Sequence, residues 1–103
     1  MNIDLIRSEA KQAILASLRS DVARLRQNGK LSGARLIGSF ATNSWDAFSD
    51  IDLICISTHA LSFRDFSRTE KRELDLIIID QDTLSKRMED PLFRDTYDKG
   101  IDL

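Results

Sequence analysis

Three acids stand where apolar strands should exclude them. Asp50-Ile51-Asp52 opens the run from Leu53 to Ser57, and Asp75 sits within Leu74-Asp75-Leu76-Ile77-Ile78-Ile79. An unpaired carboxylate in an apolar setting is expensive, so buried acids are normally paired or bound to a metal. Residues two apart on a strand share a face and lie about 6.5 Å apart along it. Asp50 and Asp52 therefore point the same way, close enough to share one metal ion or bracket two. Asp75 shares a face with Ile77 and Ile79, and it reaches the same cluster if its strand pairs with theirs. Crowded carboxylates raise one another's pKa unless cations neutralise them. Hard oxygen donors of this kind suit Mg²⁺ or Mn²⁺, which keep positions open for phosphate oxygens. Two such ions can clamp the attacking and leaving oxygens of a phosphoryl displacement.

Gly38-Ser39 is separated from Asp50 by ten residues. Glycine lets a backbone approach a phosphate closely, and a helical turn beginning at Ser39 would aim N–H groups at it. The Ser39 hydroxyl adds a donor. Singly these pieces are weak, since Gly-Ser is usually just a turn and Asp-x-Asp recurs in surface loops. Asp75 inside an apolar strand is harder to set aside. Together they describe an anion site facing a dication site, which is what a nucleoside triphosphate requires.

Elements able to position these residues follow from periodicity. Ile6, Ala10, Ile14, Leu18, Val22 and Leu25 recur at helical spacing, widened by Ala13, and predict one helix over residues 3–27. Arg7, Lys11, Arg19, Arg24 and Arg26 fall largely off that stripe. Asn2 or Asp4 can cap its start, and Asn28-Gly29 ends it with Gly in the left-handed conformation. Residues 34–37 read as a strand running into Gly38-Ser39, followed by a helical turn near 40–44. Residues 51–57 form a second strand, almost continuously apolar and so central. Residues 58–72 are open between a short helix and an irregular excursion; Phe63 and Phe66 favour a helical turn. Residues 74–79 form a third strand. Asp82 can cap a helix over 83–88, and Asp90-Pro91 starts another that Gly100 stops.

At 103 residues the chain makes one domain, 1–103. Its net charge of −2 and mixed acids and bases leave no strongly basic face for duplex nucleic acid. One cysteine, Cys55, excludes an internal disulfide and reads as a small core side chain in a reducing compartment. The start lacks the layout of a secretory signal, and no apolar run approaches the ~20 residues of a membrane helix. A cytoplasmic protein with no membrane contact is expected.

Gly-Ser, ten residues, Asp-x-Asp and a later lone Asp on a strand resemble the nucleotidyltransferase superfamily with the DNA polymerase β palm fold. The small size is most similar to the minimal nucleotidyltransferases, commonly encoded beside a HEPN-domain partner in toxin–antitoxin pairs. The resemblance covers most of the chain and extends to Asp90-Pro91-Leu92-Phe93-Arg94 and Lys99-Gly100. It implies an α+β fold, a small mixed sheet with helices packed on one face. It also implies that Gly38 and Ser39 hold the triphosphate and that Asp50 and Asp52 ligate Mg²⁺. Asp75 would complete the metal site and help activate the acceptor hydroxyl. The implied reaction moves a nucleoside monophosphate, AMP from ATP, onto a tyrosine of a HEPN-type toxin, making the chain an antitoxin. The sequence departs from the family at Thr42-Asn43, where Arg-Gly is common. That removes an arginine near the phosphates, for which Arg35, Lys30 or a partner's side chain are candidate substitutes.

Other residues are open to two readings. His59 is a loop residue at a strand end or a nucleotide or metal contact near the cleft. Trp45 is core or a partner-facing lid. Tyr97 is packing or a modifiable tyrosine, and Arg68, Lys71 and Arg72 are a solvated face or triphosphate contacts. The chain as a whole has an alternative of another class: a binding module of the same fold that inhibits its partner by occlusion. Its long first helix suits an interface, homo- or hetero-oligomeric, as readily as a core.

Overall fold

The computed structural model describes residues 3–45, 50–67 and 73–103, with backbone alone for residues 3–7. Helix α1 spans Ile3–Gln27, as the apolar stripe predicts. Ile14, Leu18, Val22 and Leu25 are buried along it, joined by Leu15 rather than by Ala13, which is exposed. Gly29 ends the helix at φ 70°. The expected cap Asn2, and the side chains of Asp4, Ile6 and Arg7, lie outside the described residues.

The sheet has the order β3-β2-β1-β4. Strands β1 (Gly33–Ile37) and β2 (Ile51–Ile56) are antiparallel, while β2 and β3 (Leu74–Ile79) run parallel over six paired residues. The described part of the excursion between β2 and β3 contains a short 3₁₀ turn, Phe63–Asp65. It buries Leu61 and Phe66 in the main core. A two-residue strand β4 (Ile101–Asp102) was not legible in the sequence; it exists because Leu36 and Arg35 of β1 offer it a partner.

Alternation sends β-strand side chains to two faces. Ala34, Leu36, Ile51, Leu53 and Cys55 turn towards α1 and form the main core with it. Ile37, Ile54 and Ile79 turn the other way, where helices α3 (Gln81–Arg87) and α4 (Pro91–Asp98) cover them with Leu84, Met88, Phe93 and Tyr97. The sequence-based expectation of helices on one face holds for α1; α3 and α4 add a second, smaller cluster opposite. Helix α3 starts earlier than expected. Its cap is Asp80, which accepts from Thr83 N–H at 2.7 Å, and not Asp82. Asp90 caps α4 as expected, accepting from Leu92 N–H at 3.0 Å, with Pro91 in the first turn. No helix among the described residues is long and apolar enough to cross a membrane.

Candidate active site

The face that carries the smaller cluster also carries the acids. Asp52 and Asp75 are paired in register on adjacent parallel strands, so both side chains leave the sheet on the α3/α4 side. Asp50 precedes β2 and is exposed; Asp52 is half-buried and Asp75 exposed. Ile37 of β1 pairs with Asp52 from the other flank. The chain then leaves the sheet through Gly38 into helix α2 (Ser39–Thr42).

Gly38 is required here on two counts. Its backbone sits at φ 75°, ψ −152°, a region that is almost exclusively glycine's. A Cβ added to it would lie 2.5 Å from Asp52 Oδ2. The backbone thus lies directly against the carboxylate, and Ser39 follows at the opening of the turn. The Ser39 carbonyl accepts from Asn43 and Ser44 N–H. Phe40, fully buried and stacked on Trp45 at 4.7 Å, roots the turn in the main core. Trp45 is therefore core, settling one of the open readings.

Burial is the first cause that raises the pKa of Asp52. The charge of Asp75, a hydrogen bond that the protonated Asp52 carboxyl donates to Asp75 and the charge of Asp50 follow. No salt bridge among the described residues reaches any of the three acids. Clustered hard oxygens are the donor set a small divalent cation neutralises. Among the described residues no three His, Cys, Asp or Glu side chains enclose a metal position by themselves.

Several sequence candidates belong to other places. Arg35 Nε donates to Tyr97 O at 2.6 Å and its guanidinium lies 4.5 Å from the centre of the Tyr97 ring, so it fastens α4 to β1. Lys30 pairs with Asp65 at 3.8 Å, before β1, whereas Gly38 follows that strand. Neither replaces the missing arginine. His59 lies beyond the end of β2, a strand length of about 15 Å or more from Asp52, and is held by Ser57 Oγ at 2.9 Å. Tyr97 packs against Phe93. Arg68, Lys71 and Arg72 fall outside the described residues. Burial pushes the Cys55 thiol up to about 11, which makes it an inert core group.

Position 43 explains part of the departure from the resembling family. Asn43 sits at φ 62°, a left-handed conformation that glycine adopts freely and asparagine tolerates. Asn therefore keeps the turn that Gly serves elsewhere, and only the arginine at position 42 is lost.

One positioning residue was missed. Asp21 is buried and accepts Ser67 N–H at 2.9 Å, with Arg24 at 3.5 Å, pinning to α1 the excursion that leads to Asp75. Its signal was available: it lies three after Leu18 and four before Leu25, on the buried stripe.

The profile of the nucleotidyltransferase domain family matches residues 17–99, a span holding all five candidate site residues. A comparison with curated protein sequences found no match. Among solved structures, a crystal structure of a candidate nucleotidyltransferase from Sulfolobus solfataricus is similar, with a TM-score of 0.56 and 18% identity over 78% of each chain. At that identity the likeness speaks for the fold.

Proposed function

Because the chain belongs to the nucleotidyltransferase domain family, we propose that it transfers a nucleoside monophosphate, AMP from ATP, to a hydroxyl group. The acceptor in this reading is a tyrosine of a HEPN-type toxin, and the transfer makes the chain an antitoxin. The observation that carries it is the register of Asp52 against Asp75, with the Gly38 backbone packed on the Asp52 carboxylate. Asp50, Asp52 and Asp75 would hold Mg²⁺, which supplies charge neutralisation at the phosphates when bound. Gly38 and Ser39 would cradle the triphosphate through backbone and hydroxyl donors. The acceptor oxygen forms a bond to the α-phosphorus, the bond to pyrophosphate breaks, and the acceptor's proton passes to Asp75. Asp50 and Asp75 are exposed, which suits an acceptor carried by another protein.

A second reading is favoured by one observation. Thr42 stands where an arginine is common, and Arg35 and Lys30 are engaged elsewhere. In that reading the chain inhibits its partner by binding alone. The test is incubation with labelled ATP, Mg²⁺ and the HEPN-type protein, read by intact mass. A gain of AMP on the partner, absent with Asp52→Asn, supports transfer. Binding without transfer for all four nucleoside triphosphates, unchanged in Asp52→Asn, supports occlusion.

A further inference from the structure

The turn that carries Gly38 and Ser39 has only four helical residues, too few to be stable alone, so tertiary contacts set its position. Phe40 roots its start in the core. Just past its far end the chain is buried again at Trp45, which stacks on Phe40. There the chain borders a cleft of about 450 Å³, lined by Lys11, Gln12, Leu15, Asn43 and Trp45 among others. Across this cleft Lys11 Nζ, on α1, donates to Asn43 Oδ1.

Asn43 is a telling place for that contact. It is the one non-glycine residue with positive φ among the described residues, and its N–H donates to Ser39 O. Glycine would meet the conformational need and offer no side chain. Asparagine meets it and also gives α1 a handle on the turn.

We propose that Lys11 and Asn43 form a brace that positions the Gly38-Ser39 turn against Asp52, and so tunes nucleotide binding. This rests on the nucleotidyl-transfer reading of the site. Both are positioning residues, because neither reaches the acids.

Three variants separate the brace from the backbone. Lys11→Met keeps the stem and loses the donor. Asn43→Gly keeps the left-handed backbone and loses the acceptor. Asn43→Asp keeps both, since Asp also tolerates this conformation. Hydrogen exchange of the Ala41, Thr42 and Ser44 amides, which bond to Gly38 O and Ser39 O, is followed in the free protein. KM for the triphosphate and kcat are measured in parallel.

A surface hydrogen bond to a charged group predicts changes of about three- to tenfold. Lys11→Met and Asn43→Gly should speed exchange and raise KM by that factor, with kcat and Tm near wild type. The double variant should be no worse than either single one, and Asn43→Asp should match wild type. Unchanged exchange, or faster exchange with unchanged KM, overturns the proposal. Equal behaviour of Asn43→Gly and Asn43→Asp overturns it too. Absence of transfer by the wild type removes the site reading and the positioning role together; unchanged exchange in an active wild type removes the brace alone.

Discussion

The two faces of this sheet do different work with nearly the same strands. Towards α1, Leu36, Leu53 and Cys55 are wholly buried and no charge interrupts them. On the opposite face, one step along the same strands, Ile37 and Ile54 give way to Asp52 and Asp75. Apolar burial at about 25 cal/mol per Å² holds the first face together. The second gives up part of that gain to gather like charges. Stability and chemistry are separated by a single residue of alternation, so a substitution at position 52 and one at position 53 should fail in different ways.

The sharpest break should come from Asp52→Asn. With one metal-binding carboxylate gone, transfer should fall about a thousandfold or more while the far-UV spectrum is unchanged. Leu53→Ala is the reverse case. Chemical denaturation should show a loss of about 3–4 kcal/mol, with residual activity per folded molecule near wild type. The same truncation at Leu84, in the smaller cluster, should cost nearer to about 2 kcal/mol. Gly38→Ala strikes the junction of the two roles. Its positive φ and the Cβ contact with Asp52 should cost about 1–3 kcal/mol and lower nucleotide affinity as well.

Smaller effects follow from pH. Asp52 has a raised pKa in the folded protein, so the native state binds its proton more tightly than the unfolded chain. Stability should therefore fall as pH rises from the ordinary carboxylate value of about 4 through the raised one. Asp52→Asn removes that cost: Tm at pH 7 should rise by about 1–4 °C, and the difference should shrink below pH ~4. Mg²⁺ should raise Tm in the wild type and not in this variant. Asp80 has the opposite sign. Hydrogen bonds from Thr83, side chain first and then backbone, lower its pKa, so its contribution is present above the unfolded value and lost as pH falls through the folded one. Asp80→Ala should flatten that acid limb and leave the neutral one nearly parallel.

Much of the first face was legible in the sequence and less of the second. Helical period alone located Ile3–Gln27, and the polar-bounded isoleucines located Leu74–Ile79. The acids and Gly38-Ser39 stood out because they violate those patterns, which is how sites commonly announce themselves. What escaped depends on tertiary partners. Strand β4 has two residues and no pattern of its own. Asp80 and Asp82 are equivalent caps on paper, and the end of β3 decides between them. Arg35 looked available until Tyr97 and Gly100 claimed it at 2.6 and 3.2 Å.

Parallel pairing of β2 with β3 has a consequence for how the protein comes to exist. Asp52 and Asp75 are 23 positions apart (75 − 52) and meet only after the chain between them has closed, its residues Leu61 and Phe66 packing in the core with α1. Such closure is charged to the folding barrier before the pairing rewards it. Helix α1 and the β1–β2 hairpin can form from local contacts, so the two acids should be among the last groups to come together. If the carboxylate pair is absent from the transition state, Mg²⁺ should slow unfolding and leave refolding unchanged in stopped-flow traces; faster refolding in Mg²⁺ would place the pair in the nucleus instead.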